Sequence, residues 1–275
     1  MLWEEPLNNE NNENICKYKE ISDYLDRIYC LQDSYFFNAT KLEESFIMFK
    51  DGRVMGKSGV SYPCGTGIAL NSLVSNMLSS AITLIEEQRK FAKKHGIADF
   101  EKHCAMMYDG STFYQLAYYV RNETQHGHLL VRPFSDSANP TAVAAISINE
   151  LCSLEFAKGN RFVKSLTELT GMSDQELLSG QKYAQFPLGR FISEFSEAVA
   201  IGNQAFFMNT HNFLVNNVYK KSESTDIVPK SIFLKFADRG NRAKKIVDSL
   251  MQKYGYENGE NKPQPPHSNK SFGVE

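Results

Sequence analysis

The chain has no CxxC pair, a single tryptophan, almost no net charge and no evident run of apolar residues of membrane-spanning length. The cysteine spacing, the charge balance and the apolar runs each remove a class of protein. The five cysteines, Cys16, Cys30, Cys64, Cys104 and Cys152, are scattered. That spacing excludes a zinc ribbon and a disulfide scaffold, and it predicts reduced, mostly buried thiols in a cytoplasmic protein. The first residues, Leu2-Trp3-Glu4-Glu5-Pro6, do not form a secretory signal, and the absence of a spanning run predicts no membrane partner. A formal net charge of −2 and a pI near 6.3 exclude a global basic field. Any contact with nucleic acid must therefore come from a local patch.

What is there is material for a helical core. The chain has 275 residues, 42% of them hydrophobic, enough for one large domain or a domain with extensions. After a polar leader at 7–14, Ile15, Tyr18, Ile21, Leu25, Ile28 and Tyr29 form a helical stripe. Residues 34–62 mix aromatics with turns at Asp51-Gly52 and Ser58-Gly59 and read as a short helix and a hairpin. A long helix is predicted over 68–95 with Gly96 as its stop, then a short one over 98–108, then one over 113–126 capped by Ser111 or Thr112. Leu129–Phe134 and Thr141–Ile148 read as the two strands of a hairpin. Helices follow at 149–157 and 160–171, a short one opens at Ser173 with Glu176, and a long apolar helix spans 190–220. A basic amphipathic helix over 240–254 and a polar tail from Glu257, expected to lack stable structure, complete the chain. The expected organisation is an N-terminal helical extension at 1–62, a helical domain at 63–220 carrying the hairpin near 129–148, and a C-terminal basic helix and tail at 221–275.

The stretch with most chemistry is Arg121-Asn122-Glu123-Thr124-Gln125-His126-Gly127-His128, which closes the aromatic run Phe113–Val120. Arg grips a phosphodiester through a two-pronged hydrogen bond, and His moves a proton near neutral pH. Asn122 and His126 are four apart and share a helix face, to which the long Arg121 can bend. This is a minimal kit for cutting RNA without a metal. An Arg and a His at this spacing arise by chance roughly 0.2 times in such a chain, and about 0.015 times when Asn must follow the Arg. The competing structural reading is a helix end, with cations near the C-terminus and Gly127 as the cap.

Arg121-Asn122-x-x-x-His126 resembles the signature of the HEPN superfamily, in which Arg is followed after four to six residues by His, often with a polar residue straight after the Arg. The resemblance covers the motif and its helices, roughly 66–128 and 189–220. It implies a mainly α HEPN-like helical bundle, here with an inserted β-hairpin. It implies a metal-independent endoribonuclease of bacterial defence or toxin–antitoxin type, without a cofactor. Arg121 would hold the scissile phosphate, His126 would transfer a proton at the ribose 2′-OH or the leaving 5′-oxygen, and Asn122 would orient the pair. The implied partners are an RNA substrate, a second copy of the chain in a symmetric homodimer, and an antitoxin or defence-system protein. One branch of the family carries Tyr two residues after the His as a target for nucleotide transfer. This chain departs from that branch with His128. Two alternatives stand beside this one: a non-catalytic HEPN-like regulatory subunit that binds nucleotide or protein, and a plain helical interaction protein in which the motif is a helix cap.

Other candidates are weaker. Cys64-Gly65-Thr66-Gly67 could cradle a phosphate but lacks the P-loop Lys. His103 and Cys104 with His126 or Cys152 match no zinc spacing. Arg239, Arg242, Lys244 and Lys245 form a basic cluster that is a candidate RNA contact or a solvated helix face. Tyr114, Tyr118 and Tyr119 are expected in the core or a dimer interface, with base stacking as the functional reading. His211 is expected as a hydrogen-bonded core histidine.

Overall fold

The computed structural model describes residues 9–50, 65–133, 144–157, 163–179, 184–219, 231–232 and 234–241. The expectations for a hairpin within 51–62, for Cys64, for the turn at 135–140 and for everything from 242 onward lie outside the described residues. Within them the chain is mainly helical, with a small three-stranded antiparallel sheet.

α1 (Asn9–Lys50) is one continuous helix where a break near 34 was expected. Buried Tyr18, Ile21, Leu25, Ile28, Gln32, Tyr35 and Leu42, with Ala39 packed beside them, recur at alternating steps of three and four. That is the 3.5-residue period of a coiled-coil seam. The aromatics at 35–37 favour strands in isolation, but Tyr35 continues the seam and tertiary packing overrides that preference. The seam lies on α2 (Gly65–Lys94) in antiparallel sense: Tyr24 meets Glu87, Lys94 meets Glu20, and Asn38 donates to the Asn76 carbonyl. The N-terminal segment thus shares one core with the central helices.

α2 corrects one expectation. Gly67–Lys94 is long and apolar enough by composition to cross a membrane. Ser72, Ser75, Asn76, Ser79 and Ser80 interrupt the apolar run to the eye but bring no charge. Half of that apolar window is buried inside the protein, where Leu70, Val74, Met77, Ala81 and Leu84 are fully enclosed. A helix apolar nearly all round is what a central core helix requires.

α3 (Ala98–Gly110), α4 (Thr112–Gln125) and α8 (Leu188–Leu214) surround α2. The Gln88 amide donates to the Asn203 amide oxygen across the buried α2–α8 contact. α8 buries Phe191, Phe195, Val199, Phe206 and Leu214, then widens into a π-turn over Val215–Tyr219. The expected hairpin is present as β1 (Val131–Pro133) paired with β2 (Ala144–Ser147). A third strand, β3 (Gln185–Pro187), pairs with β2 and was not expected, because three residues ahead of a helix carry no alternation to read. α5 (Ile148–Ala157), α6 (Val163–Thr170) and α7 (Asp174–Ser179) follow β2. α7 opens with a reciprocal capping box: Ser173 Oγ accepts from the Glu176 amide and Glu176 Oε2 accepts from the Ser173 amide.

The free edge of β1 is closed by one side chain. Asn71 Nδ2 donates to the Val131 carbonyl at 2.6 Å and Asn71 Oδ1 accepts from the Val131 amide at 2.9 Å, so the amide of a helix residue stands in for a strand. Asn71→Ala leaves two buried backbone groups unpaired, at about 1–3 kcal/mol each. Urea unfolding should show a loss of about 2–4 kcal/mol, and Asn71→Asp, which cannot donate, should recover little of it. A loss below about 0.5 kcal/mol would mean that water replaces Asn71 there.

Candidate active site

α4 is set by its ends and one face. The Ser111 hydroxyl caps it by accepting from the Tyr114 amide, as expected. Tyr114, Leu116, Ala117, Val120 and Glu123 face inward. Arg121 and Asn122 therefore fall beside the buried stripe and are half-buried, and His126 is exposed just past the last turn.

Arg121 bends toward the Asn122 side: its Nη1 donates to Asn122 Oδ1 at 3.1 Å. Its Nε is buried and has no hydrogen-bond partner among the described residues. No carboxylate among them lies within ion-pair distance of the guanidinium. The Arg121 carbonyl accepts from Thr124 Oγ1 at 2.9 Å, which ties down the last turn.

His126 is the C-cap. Its amide bonds to the carbonyls of Asn122 and Glu123, the Gly127 amide to that of Thr124, and the His128 amide to that of Glu123. The last two bonds are the paired 5→2 and 6→1 bonds of a Schellman motif. The motif requires a left-handed residue, and Gly127 supplies it at φ +91°. A Cβ at Gly127 would meet nothing within 4 Å, so the cost of any side chain there is conformational alone. Gly127→Ala should cost about 1–2 kcal/mol, read by denaturant unfolding. Gly127→Asn, which visits this region more readily, should cost less; equal stability of Gly127→Ala and wild type would mean the helix end frays.

A pair not anticipated from the sequence completes the turn. His128 Nε2 lies 3.6 Å from Glu123 Oε2, with the carboxylate side chain only 2% exposed and the imidazole 42% exposed. The sequence does carry a signal for it. Leu116, Val120 and Glu123 share one stripe, so Glu123 is an acid at an apolar position.

The remaining candidates are dispersed. Tyr114 is a core residue, its ring against Phe195, and burial pushes its hydroxyl well above the ordinary tyrosine range. Tyr118 and Tyr119 are half-buried beside it, with Tyr118 edge-on to Tyr108. Cys104 is buried, its thiol pushed up to about 11 first by desolvation, which leaves it a poor nucleophile. No three of His, Cys, Asp and Glu converge to hold a metal among the described residues. His211 is exposed and not in the core, because it falls outside the α8 stripe of Phe206, Phe207, Thr210 and Leu214.

Arg239 is committed to α1. It contacts Asp33 at 2.7 Å and 3.0 Å and lies over the Tyr29 ring, while Lys235 one turn earlier contacts Asp26 at 2.7 Å. The helical segment 234–241 is thus held on α1 by two ion pairs. Arg242, Lys244 and Lys245 lie outside the described residues. Compared with protein-family models, curated proteins and solved structures, the chain matches none.

Proposed function

We propose that the end of α4 is the active site of a metal-independent endoribonuclease of the HEPN type, acting in bacterial defence or as a toxin. One observation carries the reading. Arg121 presents a guanidinium fixed by Asn122 and matched to no carboxylate among the described residues, on the face that leads to exposed His126. A buried unpaired guanidinium donor is a standing cost to folding. A phosphate oxygen at the guanidinium's remaining N–H groups would gain charge-assisted hydrogen bonds that no described side chain but Asn122 now supplies.

The chemistry needs no metal. The ribose 2′-oxygen attacks phosphorus, its proton passes to a base, and the bond to the 5′-oxygen breaks as that oxygen takes a proton from an acid. Arg121 stabilises the charge that develops on the phosphoryl oxygens, and His126 serves in proton transfer. The family resemblance implies a twofold homodimer in which two α4 ends face one cleft.

The test is direct. The purified chain, given a single-stranded RNA oligonucleotide in EDTA, should produce fragments ending in 2′,3′-cyclic phosphate and 5′-hydroxyl. Light scattering at micromolar concentration should report a dimer. Absence of cleavage, or cleavage that EDTA abolishes, would overturn the reading. The second reading, a plain helical interaction protein in which the motif is a helix cap, is favoured by the completeness of the Schellman cap, which accounts for Gly127 and the His126 backbone without any catalysis. It expects intact RNA and unchanged partner binding in Arg121→Ala.

A further inference from the structure

In a Schellman motif the residues at Glu123 and His128 usually make an apolar contact. Here that contact is between a carboxylate almost wholly withdrawn from water and a half-exposed imidazole. A lone buried carboxylate is costly unless a partner answers it, and apolar residues would serve the cap as well. The cap therefore does not explain the choice of residues. Its geometry does fix their relation: the His128 amide bonds to the Glu123 carbonyl at 3.1 Å, which folds His128 back over the helix end.

We propose, resting on the ribonuclease reading, that His128 is a second proton-transfer residue of the site and that Glu123 is its positioning residue. Nε2 is the nitrogen that faces Glu123 Oε2. At 3.6 Å, just beyond hydrogen-bond reach, the carboxylate on that side favours a proton on Nε2 by its charge and leaves the Nδ1 lone pair as the basic edge. His126 and His128 are two residues apart, so their Cα atoms are separated by no more than about 7 Å. RNA cleavage needs two proton transfers, one from the 2′-hydroxyl and one to the 5′-oxygen. His128 accepts the first at Nδ1 as the 2′-oxygen forms its bond to phosphorus. His126 gives the second to the 5′-oxygen as the phosphorus–oxygen bond breaks, and Arg121 holds the phosphate throughout. The proton gained by His128 and that lost by His126 balance over one turnover, with exchange through water resetting both.

Three variants of the full chain, His128→Ala, Glu123→Gln and Arg121→Ala, test this on one RNA oligonucleotide. His128→Ala should lower kcat on the order of 10²–10⁴-fold with KM little changed, and added imidazole should restore part of the rate. Glu123→Gln should lower kcat about 10–100-fold. The ¹⁵N shifts of His128 should report the Nε2–H tautomer in wild type and lose that preference in Glu123→Gln. Should burial prevent Glu123→Gln from folding, His128→Ala with imidazole rescue still decides, because its side chain is partly in solvent. If His128→Ala cleaves at the wild-type rate while Arg121→Ala is inactive, the proposal falls and the ribonuclease reading stands. If wild type does not cleave RNA at all, both fall. A His128 ring lacking the Nε2–H tautomer in wild type overturns the role of Glu123 alone.

Discussion

Arg121→Ala and His126→Ala are each expected to lose RNA cleavage by about 10²–10⁴-fold while keeping the fold. The separation of activity from stability follows from where the two residues sit. His126 contributes only its backbone to the helix cap, since its amide makes the bonds to Asn122 and Glu123 and its side chain is exposed. Arg121 has one described side-chain hydrogen bond, to its neighbour Asn122, and no described ion pair. Removing either leaves the core stripe of Tyr114, Leu116, Ala117 and Val120 untouched. Arg121→Lys should recover little, because a point charge cannot span two phosphoryl oxygens as a planar fork does. Thermal unfolding should shift by no more than a few degrees, since about 1 kcal/mol corresponds to roughly 2–4 °C in a domain of this size. His126→Ala cleaving at the wild-type rate would remove His126 from the mechanism. Parallel loss of cleavage and of the thermal transition would make both residues structural.

The outcome also decides how far the sequence could be read. Helices with a clear period and punctuation were legible: α2 with Gly96 behind it, α4 with Ser111 before it, α7 with its Ser173–Glu176 box. The hairpin of β1 and β2 was legible from its two short apolar segments, Leu129–Phe134 and Thr141–Ile148, separated by Ser135–Pro140. Two things were not. The second half of α1 carries aromatics that locally favour strands, and only the seam against α2 makes Tyr35 and Leu42 helical. β3 is three residues long and owes its state entirely to the neighbour it pairs with. At the site, spacing alone brought Asn122 toward the face of His126, and the bend of Arg121 toward Asn122 is the extra fact that geometry supplies. Glu123 and His128 were in plain view but were not connected, because a 6→1 turn juxtaposes residues that a helical wheel places apart.

The basic residues illustrate the opposite case. Arg239 was expected as a candidate RNA contact or part of a solvated helix face, yet it spans Asp33 and the Tyr29 ring. Charge clustering in sequence does not say what faces the charges. Here the acids of α1, Asp26 and Asp33, two turns apart, pair with Lys235 and Arg239. The Arg239 contact thus belongs to the attachment of segment 234–241, which also sets Phe236 against Phe207.

The largest loss of stability is expected at Phe91. Its ring is fully buried and joins α2 to two other helices and to the turn behind it: Tyr24 of α1 lies at 5.3 Å between ring centroids, Phe206 and Phe213 of α8 at 5.9 Å and 6.3 Å, and His95, just past the end of α2, at 4.4 Å. Phe91→Ala removes the common element of these contacts and leaves a cavity where long helices meet and cannot close in. The expected cost is about 3–5 kcal/mol, a large part of the roughly 5–15 kcal/mol that holds a domain folded. Urea unfolding measures it directly, and a cost under about 1 kcal/mol would mean that α1 does not pack on α2 at this level. The same variant carries a pH signature. His95 is held below its ordinary value of 6.5, first by burial and then by Lys94. Above pH 6.5 the ring is neutral folded and unfolded, and its full contribution is present. As pH falls through that value the unfolded chain takes up a proton that the folded chain resists, so wild-type stability should decline toward acid. Water entering the Phe91→Ala cavity relieves the desolvation of His95, and the decline should flatten. An unchanged slope in the variant would mean that the cavity stays dry or that other groups set the acid limb.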